Sequence, residues 1–243
     1  GGSSAAAVAL SAVLSAVMGD YEKETISRQH MARLAHTIEE TVAGVPCGMQ
    51  DQLAAAYGGV NEWRWSGNIE KPPFQRNIVI HHNAYPDFEN RLLVAYCGIP
   101  HESKNINGRW VKDFLDGRFR SEWEDIISIT KNFIDSLSSC NYKDAASAMN
   151  METGIRIRMT PDVVDDIGKK LVESARSHKC GARFTGAGGG GCMWALGEPD
   201  DIKDLKHSWA ETLSATKEGC LLSNKIDPDG LEVKSLHQVS LAD

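Results

Sequence analysis

The segment GARFTGAGGGGCMWAL, residues 181–196, joins two short apolar runs through a turn that holds five glycines in seven residues. The runs Gly181–Phe184 and Cys192–Leu196 predict two β-strands, because the period changes here from that of a helix to that of a strand. A tight turn ordinarily uses one or two glycines. The additional glycines predict that a ligand or another part of the chain approaches this backbone closely, since glycine lacks a Cβ atom and tolerates positive φ.

The residues on either side extend the pattern. Thr160-Pro161-Asp162 supplies a capping hydroxyl, a proline at the first helical position and an acid in the first turn, which predicts a helix to about Ser177. A helix from about Asp200 to Leu213 and a last strand near Leu231 to Leu236 follow the hairpin. The order helix, strand, strand, helix, strand is typical of much of a split βαβ, ferredoxin-like layer in an α+β fold.

The first half of the chain predicts two helices and a sheet. The Ala-rich stretch after GGSS predicts a helix that ends near Gly19, and helical recurrence of apolar residues predicts a second from about Glu22 to Ala43, stopped by Gly44. Three strand-like runs predict the sheet: Val60–Trp65, Asn77–His82 and Arg91–Cys97. A helical region from Asn107 to Met151, interrupted at FLDGRF, follows.

Composition excludes several classes of protein. The 243 residues are 42% hydrophobic and carry a formal charge of -7, which gives no general reason to bind nucleic acid or an anionic membrane. The longest apolar run, Ala5–Met18, is shorter than the ~20 residues of a membrane span. The six cysteines are scattered without a CxxC pair, which predicts free thiols. We therefore expect a cytoplasmic globular protein without a nucleic-acid or membrane partner.

The chain opens inside a motif. GGSSAAA has no initiator Met and no strand before it. We therefore expect an N-terminal segment to be missing from this chain, together with whatever part of a site it built.

A glycine followed by two hydroxyl residues at a helix N-terminus can bind phosphate, because free backbone N–H groups and the helix dipole face the anion. Here these residues are Gly2, Ser3 and Ser4, and the hydroxyls can also serve a phosphate-bound Mg²⁺. The alternative is a capped helix packed in a core. The Walker pattern GxxxxGK[ST] is absent, which excludes a P-loop protein.

Several neighbours would explain the glycines from Gly186 to Gly191. A phosphate chain, another backbone segment or a substrate could each approach them. The alternative is a flexible hairpin loop without a ligand. The number of glycines favours a functional turn over a flexible loop without a ligand.

Asp51 follows a Gly-Pro-Cys-Gly-like loop and precedes the small, apolar segment LAAAYGG. An acid in such a place could accept a proton from a hydroxyl that attacks a phosphate, or orient that hydroxyl. Glu39, near the end of the preceding helix, could supply a carboxylate to Mg²⁺, and Glu40 is the competing candidate.

Other polar residues carry weaker signals. The histidines at 81, 82 and 101 and the pair Trp63/Trp65 are explained as ordinary structural residues, the tryptophans by alternation along a half-buried strand. The loop that contains Lys104, Asn105 and Arg109 could contact a phosphorylated substrate or could simply be solvated.

Together, GGSSAAA, GVPCGMQDQLAAAYGG and FTGAGGGGC resemble, in this order and at these separations, the second motif, the catalytic-aspartate segment and the third motif of the GHMP kinases. The resemblance spans about Gly1 to Leu196. It implies a partial ribosomal-protein-S5-like N-terminal domain, residues 1–98, and a ferredoxin-like C-terminal GHMP kinase domain, residues 99–243. The family's first motif and the leading PxGxGL part of its second motif have no counterpart here.

The resemblance also implies site residues. ATP phosphates would lie on the first turn, and Mg²⁺ would be held by Ser4 and Glu39. Asp51 would be the catalytic residue. The third-motif glycines would lie near substrate and phosphates. The implied nucleotide contacts are Gly1, Gly2, Ser3, Ser4, Ala5, Gly186, Gly188, Gly189 and Gly190.

The form GMQDQLAAAYGG is most similar to the heptose 7-phosphate kinase and related sugar-kinase branch. This implies an ATP- and Mg²⁺-dependent kinase that acts on a hydroxyl of a sugar or sugar phosphate. A homodimer is the candidate assembly. Galactokinase or fucokinase activity is the alternative within the family. A catalytically inactive relative that binds a nucleotide or sugar as a regulatory module is the alternative outside enzymes, and a purely structural ferredoxin-like interaction domain is a third reading.

Overall fold

A computed structural model describes residues 2–18, 27–44, 47–66, 74–99 and 103–234. The helices in these ranges are α1 (Gly2–Val17), α2 (Arg28–Ala43), α3 (Gln50–Tyr57), α4 (Tyr85–Glu89), α5 (Ser103–Leu115), α6 (Arg120–Ser138), α7 (Tyr142–Met159), α8 (Asp166–Ser177) and α9 (Pro199–Ser214). The strands are β1 (Val60–Trp65), β2 (Phe74–Ile80), β3 (Leu92–Tyr96), β4 (Gly181–Phe184), β5 (Cys192–Leu196) and β6 (Cys220–Leu222).

The chain divides into two compact units, Gly1–Ile78 with Ile226–Asp243, and Val79–Lys225. The sequence placed a family domain boundary at residues 98 and 99. That assignment stays a prediction.

Three helices pack together in the first unit. Small buried residues, among them Ala32 and Ala35 of α2 and Ala56 of α3, let the helix backbones approach closely around Val8 and Leu53. The helix α2 begins at the N-cap Ser27, whose hydroxyl accepts a hydrogen bond from His30 N, and it ends at Gly44 with φ of 64°. This packing gathers the N-terminus of α1, the last turns of α2 and the start of α3.

A segment near the end of the chain packs against the end of α3. Gly59 N donates to Asp227 O at 2.7 Å, and Leu231 N donates to Ala56 O at 3.2 Å. A Cβ atom on Gly58 would lie 2.6 Å from Gly230 N, so both glycines are needed for this close approach. The segment thereby belongs to the first unit.

The second unit contains the sheet that the glycine-rich hairpin predicted. Its strand order is β4-β5-β3-β6, and each neighbouring pair is antiparallel. With α8 between β3 and β4 and α9 between β5 and β6, this is the order of a ferredoxin-like layer, into which α5, α6 and α7 are added before α8. The ferredoxin-like α+β prediction is confirmed.

The core of the second unit lies between this sheet and its helices. Trp209 of α9 is completely buried and its Nε1 donates to Leu171 O of α8 at 3.1 Å, so the indole N–H is satisfied inside the core. Phe184 on the edge strand β4 and Met193 on the neighbouring central strand β5 are also buried. The sheet and the two helices therefore form one apolar layer.

The predicted three-stranded sheet is wrong. Strand β1 pairs with β2, but β3 pairs with β5 and β6 in the second unit. Leu93 and Ala95 of β3 alternate into the core of that unit. Local alternation of apolar residues predicts a strand but carries no information about its distant partner, which is why the sequence assigned it wrongly.

The predicted helix start at Thr160 is also wrong. Thr160 precedes a short 3-10 turn, Pro161–Val163, and helix α8 begins after the N-cap Asp165. Asp165 Oδ1 accepts a hydrogen bond from Gly168 N at 2.6 Å. Val163 is fully buried, so tertiary packing of this turn outweighs the local capping signal.

The last predicted strand is misplaced. The strand of the second unit is Cys220–Leu222, which pairs with β3. The described residues of the predicted strand, 231–234, form no strand, and the others lie outside the described residues. The break predicted at FLDGRF is confirmed between α5 and α6, whereas the helical region continues beyond Met151 to Met159.

All six cysteines are free thiols, as the sequence predicts. Burial raises the pKa of Cys97 and of Cys180 to about 12, so these two stay protonated near neutral pH. Among the described helices, none combines the length and apolar character that crossing a bilayer requires.

Candidate active site

The first unit brings several of the predicted site residues together. Ser4, in the first turn of α1, is 5% exposed, and Glu39 of α2 is half-buried. Burial alone would raise the pKa of Glu39, but hydrogen bonds from the Ser4 and Ser3 hydroxyls and from Gln52 outweigh it and lower the pKa. The carboxylate of Glu39 is therefore held in its charged form at the N-terminus of α1.

Gln52 is the residue of this site whose role the sequence did not predict. Its Nε2 donates to Glu39 Oε2 at 2.5 Å, and the side chain is 1% exposed. Its Oε1 is buried and has no hydrogen-bond partner in the described part of the chain. The repeated Gln beside Asp51 in MQDQ was visible in the sequence, but which glutamine faces inward depends on the rotation of α3.

Asp51 lies in the first turn of α3, directly before Gln52. It is half-buried. Burial raises the pKa of the neighbouring Cys47 thiol, and the charges of Glu39, Glu40 and Asp51 raise it further. Because the Gln52 side chain hydrogen-bonds to Glu39, Asp51 directly precedes a residue of the Glu39 cluster.

Replacing Gln52 by Met is expected to raise the pKa of Glu39, because Met has a similar length but cannot donate a hydrogen bond to the carboxylate. The pKa can be followed by NMR titration of the Glu39 side-chain carboxyl carbon. Gln50→Met, which changes an exposed glutamine of the same helix, is the matched control and should leave that pKa where it is. An equal Glu39 pKa in the two variants would contradict the inference that the hydrogen bond from Gln52 lowers this pKa.

The glycine-rich turn belongs to the second unit. Its backbone has positive φ at Gly186, Gly188, Gly189, Gly190 and Gly191, between 59° and 102°. A Cβ atom on Gly188 would lie 2.4 Å from Val163 O. Of the neighbours that the sequence left open, another backbone segment is the one that the structure shows at Gly188.

Most amides of this turn bond within the protein. Gly189 N donates to Val163 O at 2.8 Å, Gly191 N to Ile99 O at 2.9 Å, and Gly188 N to Thr185 O at 3.3 Å. Within the described ranges, no acceptor faces Gly190 N. The same holds for the amides of Gly186 and Ala187, and of these three residues Gly190 lines the neighbouring cavity.

A cavity of about 380 Å³ lies beside the turn and is lined by Gly189, Gly190, Arg109 and Lys169, among others. Arg109 Nη2 lies 2.6 Å from Asp162 Oδ2, and this hydrogen bond lowers the pKa of Asp162. Arg109 therefore lines this cavity while paired with an acid. Lys104 and Asn105, predicted in the same loop, have side chains outside the described residues, as has Gly1.

The sequence interprets the histidines and the Trp63/Trp65 pair as ordinary structural residues. His81 and His82 are exposed, and His101 lies outside the described residues. Trp63 packs edge-on against Tyr57 and Phe74. In the described part of the chain, no group of three or more His, Cys, Asp or Glu side chains is placed to hold a metal ion.

Replacing Gly188 by Ala is expected to destabilise the second unit, because the new Cβ atom meets Val163 O and the residue keeps a φ of 79°. Left-handed backbone alone costs an L-residue roughly 1–2 kcal/mol. Gly186→Ala is the matched control, with a φ of 59° but no atom within 4 Å of its Cβ. Urea unfolding followed by tryptophan fluorescence should show a clearly larger loss for Gly188→Ala, and equal losses would mean that the contact with Val163 is unimportant.

Two family profiles match the chain. The GHMP kinases N terminal domain matches residues 1–59, and the GHMP kinases C terminal domain matches residues 144–215. The chain belongs to the GHMP kinase superfamily. The two matched ranges include Ser4, Glu39 and Asp51 in the first unit and the glycine-rich turn in the second.

Curated relatives of this GHMP-family chain bear two different names. A mevalonate kinase of Thermococcus onnurineus is 26% identical over 97% of this chain and 65% of its own length. Glucuronokinase 1 of Arabidopsis thaliana is 23% identical over 84% of this chain and 57% of its own length. The chain thus spans less than two thirds of these relatives.

A solved structure supports the fold. The crystal structure of Lactococcus lactis galactokinase with galactose superimposes with a TM-score of 0.66 at 17% identity, over 92% of this chain and 66% of that one. At this identity the likeness concerns the fold alone. The mixed α+β GHMP kinase fold predicted from the three motifs is confirmed.

Proposed function

We propose that the protein is an ATP-dependent kinase that transfers the γ-phosphoryl group to a hydroxyl of a small molecule, with Asp51 as its catalytic residue. The observation that carries the proposal is the cluster of Ser4, Glu39, Gln52 and Asp51 where α1, α2 and α3 meet. A helix N-terminus beside oriented carboxylates suits phosphate and metal chemistry. Membership of the GHMP kinase superfamily supports the same activity.

The residues at the N-terminus of α1 suit Mg²⁺ by their chemistry. Mg²⁺ is usually bound by one or two carboxylates together with substrate phosphates, and it prefers oxygen ligands. The Ser3 and Ser4 hydroxyls and the charged Glu39 carboxylate are such ligands. When bound, the ion would neutralise negative charge on the phosphates. Ser4 and Glu39 would hold it, and Gln52 would keep the Glu39 carboxylate charged and oriented.

The reaction itself needs little covalent chemistry from the protein. The acceptor oxygen forms a bond to the γ-phosphorus, the bond from that phosphorus to the β–γ bridging oxygen breaks, and ADP leaves. The proton of the acceptor hydroxyl passes to the Asp51 carboxylate. The amides at Gly2, Ser3 and Ala5 at the start of α1 stabilise phosphate charge. For Gly186, Gly188, Gly189 and Gly190, contact with the nucleotide stays a prediction of the family resemblance.

For the acceptor we infer a sugar, sugar acid or sugar phosphate, with a small hydroxy acid as the second candidate class. The form GMQDQLAAAYGG supports a heptose 7-phosphate-type acceptor, and the names of the relatives add mevalonate and glucuronate as candidates. Galactose and fucose complete the set. A homodimer stays a prediction that light scattering would test.

The test measures ADP release by the full-length natural polypeptide with ATP and Mg²⁺. The panel contains heptose 7-phosphate, galactose, fucose, glucuronate, mevalonate and homoserine. One responding acceptor would support the kinase and identify its substrate class. ATP binding without turnover on any member would overturn the kinase proposal in favour of the inactive regulatory relative, and absence of ATP binding would overturn both in favour of the structural domain.

A further inference from the structure

Three charged side chains that have no assigned role in phosphoryl transfer form a cluster in the second unit. Glu152 Oε1 accepts from Arg156 Nε at 2.9 Å, and Glu152 Oε2 accepts from Arg183 Nε at 2.8 Å. The side chains of Glu152, Arg156 and Arg183 are 9%, 13% and 25% exposed. The cluster therefore carries two positive charges and one negative charge in a largely buried place.

The guanidinium of Arg156 is held rigidly. Its Cζ lies 4.5 Å from the ring centroid of Trp110 and 4.9 Å from that of Trp123, so the group is in cation–π distance of two indoles. Only its Nε is used by Glu152, and in the described ranges no acceptor faces its two terminal Nη atoms. These Nη atoms are not completely buried, so water or an anion can complete their hydrogen bonds from the open side.

A cavity of about 270 Å³ adjoins the cluster, and all three charged residues line it. Its apolar wall includes Ile129, Phe133 and Trp194, and the rings of Phe133 and Trp194 meet edge-on at 6.4 Å. Among the described residues that line the cavity, Glu152 is the single carboxylate, and both arginines already hydrogen-bond to it. The volume lies just below the roughly 300–1,000 Å³ of drug-sized sites, which suits a small ligand.

We propose that this cavity binds a small organic monoanion, a carboxylate joined to a compact apolar group. The carboxylate would accept hydrogen bonds from Arg156 and Arg183 and neutralise the excess positive charge, and the apolar group would lie against Phe133 and Trp194. Arginine suits this role because its planar fork matches a carboxylate in two hydrogen bonds. The proposal does not depend on the kinase reaction.

The alternative is an ion cluster that only stabilises the fold. Such a cluster usually balances its charges inside the protein, because an unpaired buried charge is costly. Here Arg183 uses all three of its nitrogens, on both Glu152 oxygens and on Phe184 O. Arg156 uses only its Nε, the cluster holds one carboxylate for two guanidinium groups, and an open cavity lies beside it. These two observations together favour a ligand over a closed structural pair.

The experiment uses benzoate and benzamide as matched probes on the full chain, with affinity measured by isothermal titration calorimetry. Benzoate should bind, and benzamide, which has the same ring without the charge, should bind at least tenfold more weakly. Arg183→Gln should weaken benzoate binding roughly ten- to a hundredfold, as expected for loss of a charged hydrogen bond. Arg118→Gln, at an arginine that pairs with Asp113 away from the cavity, should leave benzoate affinity unchanged.

A second measurement needs no variant. NMR signals of the arginine Nε–H groups should shift with benzoate for Arg156 and Arg183 but stay constant for Arg118. Equal binding of benzoate and benzamide, or no shift at Arg156 and Arg183, would overturn the proposal. So would a folded Arg183→Gln variant with unchanged benzoate affinity, where circular dichroism shows that it is folded.

Discussion

Replacing Asp51 by Asn is expected to lower kcat of the proposed kinase by roughly 10²- to 10⁴-fold, the usual contribution of a positioned acid or base. Asn has the same shape but cannot accept the proton of the acceptor hydroxyl. Asp51 lies in the first turn of α3 beside the Glu39 cluster, so its loss leaves the N-terminus of α1 in place. Steady-state ADP release gives kcat, and calorimetry with a non-hydrolysable ATP analogue should show nucleotide affinity largely retained.

Glu40→Gln provides the matched control for Asp51→Asn. Glu40 is exposed on α2, and its charge also reaches Cys47, so the variant removes one negative charge from the same neighbourhood. We expect its kcat to stay close to that of the natural protein, which also separates Glu40 from Glu39 as the metal-binding carboxylate. Full turnover by Asp51→Asn would exclude Asp51 as the catalytic residue.

Replacing Glu152 by Ala is expected to lower the free energy of unfolding of the second unit by about 3–5 kcal/mol, the range seen when one partner of a buried ion pair is removed. The variant leaves Arg156 and Arg183 as two buried cations without their carboxylate. Urea unfolding at pH 7 measures the loss, and tryptophan fluorescence reports on it because Trp110 and Trp123 are in cation–π distance of Arg156.

Glu124→Ala is the control for Glu152→Ala. Glu124 also pairs with an arginine four residues away on a helix, Arg120, but the two side chains are 68% and 85% exposed. An exposed pair contributes about 0–1 kcal/mol, so this variant should be nearly neutral. A loss for Glu152→Ala as small as that for Glu124→Ala would mean that the buried cluster contributes no more than a surface pair.

The effect of Glu152→Ala also has a defined pH dependence. Burial acts to raise the pKa of Glu152, but the charges and hydrogen bonds of Arg183 and Arg156 outweigh it and lower the pKa below the ordinary value of 4.5. A carboxylate with a lowered folded-state pKa stabilises the protein above its unfolded pKa and loses this contribution as the pH falls through the folded value. The difference between natural protein and variant should therefore be constant near neutral pH and shrink below about pH 4.5.

Much of the secondary structure was predictable because it depends on neighbours in sequence. The start of α1, the end of α2 at Gly44, and the strands β1, β4 and β5 follow from local signals, namely helical periodicity, a left-handed glycine cap and short apolar runs. The start of α8 was not predictable, because the buried turn around Val163 displaces the strong cap signal at Thr160. A local propensity is weak compared with the burial of an apolar side chain in the core.

Sequence motifs located the candidate site but not its internal contacts. GGSS, the segment around Asp51 and the glycine-rich turn were all recognisable, because glycine, serine and acid in fixed order reflect backbone and charge requirements. The hydrogen bond from Gln52 to Glu39 was not, since it depends on how α2 and α3 face each other. The ion cluster at Arg183 was hidden for the same reason, because Arg183 lies on β4 and its carboxylate on α7.

The amino-acid order alone was sufficient to assign the α+β class, the strands of the glycine-rich hairpin and the superfamily, because these depend on periodicity, glycine placement and motif spacing along the chain. Folding in three dimensions determined which strands pair, as β3 with β5 and β6, and which backbone meets Gly188. It also determined which charges are buried together, as in Glu152, Arg156 and Arg183. Those outcomes join residues far apart in sequence, and the energy of such contacts depends on burial and shape that no local pattern specifies.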